Sequence, residues 1–157
     1  MEFREVSSQE DISDKSIKNL YEIMHHLSNE VYSHLGEGFN EDVYQKALQV
    51  EMRNAGLCFQ REVNVEIFYK GVPLSFDRPD FIIRPFQNEQ CDLSVPVVVE
   101  LKAVKKLSDK NKTQAKTYLR SLPFSSDAEL KHCRHCILIN FPESNKDSVE
   151  LLLIERL

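Results

Sequence analysis

Apolar residues that recur at helical spacing predict three helices. The first repeat runs from Ile17 to Val31 and stops at Gly36, a residue that commonly ends helices. Glu41 opens the second helix, where a negative side chain stabilises the positive end of the helix dipole. Ser108 is a residue type that favours the N-cap position, directly before the third helix. The predicted helices cover residues 15–34, 41–55 and 109–122.

Alternating apolar residues and short apolar runs predict the strands. Residues 63–69 and 74–76 alternate on either side of a Lys70-Gly71 turn, which indicates a hairpin. The final segment, residues 149–157, is compatible with a strand or a helix. Further predicted strands cover residues 80–83, 97–104 and 136–141. The order α-α-β-β-β-β-α-β, followed by one more element, predicts an α/β domain.

The length and composition are those of one globular domain. The chain has 157 residues, of which 41% are hydrophobic and 29% charged, so we expect a single domain over residues 1–157. We expect residues 1–14 to be flexible. No apolar run is long enough to span a bilayer, and the acidic N-terminal segment does not resemble a targeting presequence. We therefore expect a cytoplasmic or nuclear protein that binds no membrane.

Four cysteines, at positions 58, 91, 133 and 136, favour reduced thiols in an intracellular protein. Cys133 and Cys136, together with His132 and His135, have a spacing that could supply zinc ligands. No second closely spaced pair follows, and Cys136 leads directly into an apolar strand. Structural thiols are therefore the simpler interpretation, with zinc as the alternative.

The net charge is −5, but the charges are unevenly distributed. Residues 102–120 contain seven basic side chains and one acidic side chain, a local charge of +6. A lysine-rich helix face is most often simply solvated, whereas a basic stripe beside a catalytic site can bind phosphates. The candidate nucleic-acid contacts are Lys105, Lys106, Lys112 and Lys116.

The segment VVVELKAV, residues 97–104, carries two opposite charges within an apolar strand. Side chains alternate across a strand, so Glu100 and Lys102 share the face of Val98, while Leu101 points to the other face. A partly buried ion pair would explain the two charges. A second explanation is a site where the carboxylate binds a hard cation and the ammonium stands beside the reacting group.

Further polar residues can join this pair of charges. Asp80 opens the preceding strand, and two carboxylates on adjacent strands can hold one Mg²⁺ ion. Glu41 lies on the predicted core-facing side of the second helix. Gln114 and Tyr118, spaced i and i+4, share one face of the lysine-rich third helix. Taken singly, Asp80 is compatible with turn chemistry and Glu41 with a helix start. Their combination with Glu100 is more specific.

The segment Gly38-Phe-Asn-Glu41-Asp-Val-Tyr44 resembles the motif that names the GxxExxY family of the PD-(D/E)xK nuclease superfamily. The resemblance continues through QREVNVEIFYKG, PDFII, VVVELKAV, the Gln114 and Tyr118 pair and ILINF, in family order over residues 16–141. It implies a restriction-endonuclease-like α/β core, in which helices flank a mixed sheet of four or five strands. It also implies metal-dependent cleavage of phosphodiester bonds.

The resemblance further implies roles for individual residues. The implied catalytic residues are Lys102, Glu100, Asp80 and Glu41. The implied ligands of Mg²⁺ or Mn²⁺ are Asp80, Glu100, Glu41 and the carbonyl group of Leu101. The residues implied to position substrate are Gln114, Tyr118 and Tyr44. The implied substrate is nucleic acid, with DNA favoured over RNA.

Two segments are longer than their counterparts in the family. We expect residues 84–95 and 123–135 to be inserted loops, which could bind a protein partner or a second copy of the chain. Two functions are therefore in competition. The first is a metal-dependent nuclease, and the alternative is a catalytically idle adaptor or subunit that keeps the fold and binds protein or nucleic acid.

Overall fold

A six-stranded mixed sheet forms the centre of the computed structural model, which describes residues 1–157. The helices are α1 (Lys15–Leu35), α2 (Glu41–Asn54) and α3 (Asp109–Ser121). The strands are β1 (Phe3–Val6), β2 (Phe59–Arg61), β3 (Val65–Tyr69), β4 (Val72–Asp77), β5 (Phe81–Ile83), β6 (Phe86–Gln87), β7 (Asp92–Leu93), β8 (Val97–Lys102), β9 (His135–Asn140) and β10 (Glu150–Arg156). None of the helices has the length and apolar character needed to cross a membrane.

Local interactions set the helix ends close to where the sequence predicts them. The Asp14 side chain accepts a hydrogen bond from the Ile17 N–H at 3.1 Å, which begins α1. Gly36, with a φ of 73°, ends this helix in a conformation that favours glycine. Ser108 and Asn111 form a capping box at the start of α3. All three predicted helices are confirmed to within one residue at each end.

The strand order in the sheet is β1-β10-β9-β8-β5-β2. Strands β8 and β9 run parallel and are connected through α3, and the other pairs are antiparallel. Along β8, Val99 and Leu101 join the core formed with α1 and α2, whereas Val98 joins the core formed with α3. Glu100 and Lys102 therefore project on the α3 side, as the alternation along the strand predicts.

The sheet has six strands, so the expectation of four or five is too small. The two edge strands, β1 and β2, have four and three residues, which is too short for a recognisable alternation. Strand β1 pairs with β10, and Val6 and Ile12 lie in the core. This segment therefore forms one edge of the sheet, and the structure does not support the expectation that residues 1–14 are flexible.

The two expected insertions both contain regular structure. Residues 84–95 include the short hairpin of β6 and β7, and residues 123–135 include 3₁₀ turns. Arg84 forms ion pairs with Asp127 at 3.1 Å and with Glu129 at 2.9 Å, which fasten the second segment to the end of β5. The final segment of the chain is a strand, β10, paired with β9.

The hairpin of β3 and β4 stands outside the main sheet. Its base is anchored because Val65 is buried in the core formed with α3. Four large apolar side chains of the hairpin are exposed: Tyr69, Val72, Leu74 and Phe76. The hairpin therefore offers an apolar surface on the segment that leads into β5.

The cysteine pair lies in the core formed with α3. Cys133 and Cys136 are fully buried and form no disulfide bond. Burial raises the pKa of the Cys133 thiol to about 11, so the neutral thiol is the form that packs in this core. The chain contains no cluster of three or more His, Cys, Asp or Glu side chains placed to share a metal ion. The structure therefore favours thiols that pack as small apolar residues over a zinc site.

We expect Ile12→Ala to lower the free energy of unfolding by about 2–5 kcal/mol, the usual cost of truncating a buried isoleucine. Ile12 is 4% exposed in the core. Glu10→Ala, at an exposed position in the same segment, is the control and should change stability by less than about 0.5 kcal/mol. Urea unfolding measures both variants. An Ile12→Ala protein as stable as its parent would mean that residues 1–14 do not pack on the sheet.

Candidate active site

Asp80 and Glu100 lie side by side where β5 begins and β8 ends. Asp80 directly precedes β5, whose antiparallel register sets Phe81 opposite Val99. The Asp80 N–H donates to Glu100 Oε1 at 3.1 Å, and the Leu101 N–H donates to Asp80 Oδ2 at 2.7 Å. These reciprocal hydrogen bonds hold the two carboxylates together.

Glu100 is the more buried of the two carboxylates, with 4% of its surface exposed. The Tyr118 hydroxyl donates to Glu100 Oε2 at 2.8 Å from α3. Burial, and then the Asp80 carboxyl group, raise the pKa of Glu100, although Tyr118 and Lys102 favour its charged form. The pair therefore attracts positive charge, either a proton or a metal cation.

Lys102 stands beside the carboxylate pair without forming an ion pair with Glu100. Its Nζ donates to Gln114 Oε1 at 2.8 Å. Gln114 Nε2 in turn donates to Tyr118 OH and to Asp77 Oδ2, both at 3.4 Å. Gln114 thus orients the lysine through a neutral oxygen, which does not cancel its charge. The interpretation of Glu100 and Lys102 as a simple ion pair is wrong.

Glu41, the first residue of α2, borders the site from the helix. Its Oε1 lies 4.0 Å from Lys102 Nζ, and its side chain is 50% exposed. Burial raises the pKa of Glu41, the Lys102 charge lowers it and the Asp80 charge raises it. The structure therefore brings Asp80 and Glu100 together and sets Glu41 next to Lys102, rather than grouping all three carboxylates as ligands of one ion.

A cavity of about 620 Å³ opens beside Lys102. It is lined by the start of α2, the end of β8 and the start of α3: Asn40, Glu41, Lys102, Ala103, Val104, Lys110, Asn111 and Gln114. A larger groove, of about 880 Å³, lies at the other end of α2, where Glu22, Glu51 and Glu89 line it without any lysine or arginine. The smaller cavity is the one suited to a phosphate, because it holds two lysines.

A sequence model of the PD-(D/E)XK nuclease superfamily matches residues 18–152, a span that includes the carboxylate pair and the cavity. The chain belongs to the PD-(D/E)XK nuclease superfamily. PD-(D/E)XK nucleases generally use divalent metal ions and act on nucleic acid. No individually curated protein matches the chain. The narrower resemblance to the GxxExxY family stays a prediction.

The residues of this PD-(D/E)XK protein fit the divalent cation that the superfamily implies. Mg²⁺ takes oxygen ligands, commonly one or two carboxylates completed by water and phosphate. Asp80 and Glu100 supply two adjacent carboxylates, and a bound cation would offset the burial and the neighbouring Asp80 charge that raise the pKa of Glu100. The ligand roles of Glu41 and of the Leu101 carbonyl stay predictions.

Sequence reasoning missed the residues that hold Asp80 from the side of α2. Gln45 Nε2 donates to Asp80 Oδ1 at 2.8 Å, and Arg61 Nη2 donates to Gln45 Oε1 at 3.2 Å. Gln45 follows Glu41 at i+4, so helical spacing could have nominated it. Arg61 lies on the short strand β2, and no signal in the sequence connects it to the site.

Tyr44 does not face the cavity. It is 1% exposed, its ring stacks on Phe141 with 4.5 Å between centroids, and its hydroxyl donates to the Gly36 carbonyl at 2.7 Å. The side chain therefore ties α2 to the end of α1, and the implied role of Tyr44 in positioning substrate stays a prediction. Tyr118 is equally buried, and its hydroxyl positions the Glu100 carboxylate.

The basic residues of α3 lie on two different flanks of the helix. Lys112 Nζ is 3.4 Å from Glu5 Oε1, and Lys116 Nζ is 5.9 Å from the centre of the Phe3 ring. Both lysines therefore lie beside β1, on the side of α3 away from Gln114. The helix turns them towards the N-terminal strand, and their contacts with nucleic acid stay a prediction.

The other basic residues lie closer to the proposed chemistry. Lys105 and Lys106 are exposed on the loop that directly follows Lys102, and their contacts with nucleic acid stay a prediction. Lys110, which sequence reasoning counted in the basic stretch but did not nominate, lines the cavity. The basic stretch thus contributes to the site through its first half.

We expect Tyr44→Phe to lower the free energy of unfolding by about 1 kcal/mol, because the Gly36 carbonyl loses its donor. Nucleic-acid affinity should not change, because the hydroxyl does not reach the cavity. Tyr32→Phe is the matched control, since it also removes a tyrosine hydroxyl bonded to a carbonyl, that of Pro142 at 2.9 Å. Weaker nucleic-acid binding by a folded Tyr44→Phe protein, and not by Tyr32→Phe, would instead support the implied role of Tyr44 in positioning substrate.

We expect Glu100→Gln to stabilise the metal-free protein at neutral and alkaline pH. Because the folded-state pKa of Glu100 is raised, the folded chain holds this proton more tightly than the unfolded chain. The parent therefore loses stability as the pH rises above the ordinary carboxyl range, whereas the neutral variant lacks this loss. With a chelator present, the variant should exceed the parent by on the order of 1 kcal/mol near pH ~8.

Urea unfolding over a series of pH values measures this difference. Glu143→Gln, at an exposed glutamate, is the control and should follow the parent at every pH. Parallel stability curves for Glu100→Gln and the parent would contradict the expectation.

Proposed function

We propose that this protein is a divalent-metal-dependent nuclease that hydrolyses phosphodiester bonds of nucleic acid, with DNA favoured over RNA. The observation that carries the proposal is the hydrogen-bonded pair of Asp80 and Glu100, with Lys102 on the same face of β8. A purely structural pair of charges would join Lys102 to Glu100. Instead the lysine is held by Gln114, and its charge stays available.

Asp80 and Glu100 are the proposed ligands of Mg²⁺ or Mn²⁺. The bound cation would supply a Lewis acid that polarises the phosphate. Gln45 and Tyr118 each donate to one oxygen of the pair, which fixes the orientation of both carboxylates. Each carboxylate oxygen has a second lone pair that can face a ligand.

Lys102 is the proposed catalytic lysine. Its ammonium group has three N–H donors, and Gln114 accepts only one of them. The remaining donors can bind the phosphate oxygens on which negative charge grows during attack, and can orient the attacking water. Glu41, 4.0 Å from the ammonium group, helps to hold it in place.

The nature of the nucleophile is compatible with DNA as the substrate. In this proposal the attacking group is water, so the substrate needs no 2′-hydroxyl group. The named residues therefore suffice for a deoxyribose backbone. Membership of the PD-(D/E)XK nuclease superfamily supports nucleic acid as the substrate class.

A second function, that of a non-catalytic adaptor or subunit, is favoured by one specific observation. The β3–β4 hairpin exposes Tyr69, Val72, Leu74 and Phe76, each more than half exposed. Exposed apolar patches of this kind commonly mark protein interfaces. A protein partner or a second copy of the chain could bind there whether or not the site is active.

The test is cleavage of single-stranded and duplex DNA and RNA with Mg²⁺, with Mn²⁺ and with a chelator. We expect metal-dependent cleavage by the parent. Lys102→Met should lose about 10²–10³-fold in rate, because one stabilising charge at the phosphate is removed. Its side chain is 17% exposed and methionine preserves most of the alkyl packing, so thermal stability should stay close to that of the parent.

Lys131→Met, at an exposed lysine of the segment 123–135, is the matched control and should cleave like the parent. Undiminished cleavage by Lys102→Met would remove the lysine from the mechanism. A folded parent that binds nucleic acid but cuts none of the four substrates would favour the adaptor.

A further inference from the structure

We infer that the cavity beside Lys102 is a second phosphate-binding subsite, in which Lys110 holds a phosphate next to the one being cleaved. This inference rests on the proposed function and names a feature of its substrate. The ligand would be a polynucleotide strand that reaches past Lys102, rather than an isolated phosphodiester.

The position of the cavity supports this assignment. Its lining includes Lys102 and Gln114 but neither Asp80 nor Glu100, so it extends the site away from the carboxylate pair. Lys102 borders both the carboxylate pair and the cavity, so it can contact a phosphate at either position. The volume of about 620 Å³ lies in the range of small-molecule sites, which is enough for a nucleotide unit.

The charge of the cavity depends on Lys110. Of the three charged groups in the lining, Glu41 and Lys102 carry opposite charges 4.0 Å apart, so this pair adds no net charge to the cavity. Lys110 is exposed and forms no ion pair, so it is the free cation of the cavity. Its charge is available to a ligand phosphate.

The location of Lys110 on α3 is unfavourable for the helix itself. It lies in the first turn, where the positive end of the helix dipole repels a cation. A residue that breaks a local rule without a structural benefit points to a functional role. Neutral donors surround it, since Asn40 makes no capping bond to α2 and the Asn111 amide nitrogen is not used in the capping box.

The test measures binding of a short single-stranded DNA by fluorescence anisotropy, with a chelator present and at several salt concentrations. Lys110→Gln should weaken binding by about tenfold and reduce the log–log salt slope by about 0.7, the effect of one lost phosphate contact. Thermal stability should be unchanged or higher, because a repelled charge leaves the helix. If Lys110 had a structural role instead, Lys110→Gln would lower the thermal stability.

Lys15→Gln is the matched control, because Lys15 is also an exposed lysine in the first turn of a helix but lies outside the cavity. It should leave affinity and salt slope unchanged. In a second arm, a dinucleotide with a terminal phosphate should compete with the DNA about tenfold better than the same dinucleotide without it. This preference should disappear in Lys110→Gln.

Equal binding by Lys110→Gln and Lys15→Gln, or a phosphate preference that survives in Lys110→Gln, would overturn the inference. Both arms are read without cleavage, so they are separate from the proposed activity. A Lys110-dependent phosphate preference in a protein that cuts nothing would support the subsite and reject the nuclease. Metal-dependent cleavage by the parent, with no effect of Lys110→Gln on binding, would support the nuclease and reject the subsite.

Discussion

Two reciprocal backbone-to-carboxylate hydrogen bonds, between the start of β5 and the end of β8, hold like charges side by side. Asp80 and Glu100 would repel each other if both were ionised, and the burial of Glu100 increases the cost. The strand pairing of β5 with β8 fixes their separation, so the repulsion cannot relax by movement of the backbone. Such a pair is unfavourable for the empty fold and favourable for binding a cation.

The surrounding side chains keep this arrangement without adding charge to it. Gln45 from α2 and Gln114 from α3 each contribute an amide, which donates through its nitrogen and accepts through its oxygen. Asp80 is oriented by one amide and Lys102 by the other. Neither amide changes the net charge of the site.

Helix α3 places the basic residues of the segment 102–120 on two different flanks. One flank, with Gln114 and Lys110, faces the site and its cavity. The other flank, with Lys112 and Lys116, meets the acidic and aromatic side chains of β1. A local charge of +6 along the sequence is thus not a single surface in space, because successive helical residues are rotated by about 100°.

Local patterns were enough to predict the helix bounds and the orientation of Glu100 and Lys102 on one strand face, and the resemblance of the motifs to a known family predicted the superfamily. Caps, glycine ends and strand alternation depend on neighbours within a few residues, which the sequence displays directly. The tertiary structure alone decided that Gln45 contacts Asp80 and that Tyr44 belongs to the core, through contacts between distant segments. Gln45 and Asp80 are 35 positions apart, and their hydrogen bond exists only because α2 crosses the end of the sheet where β5 begins.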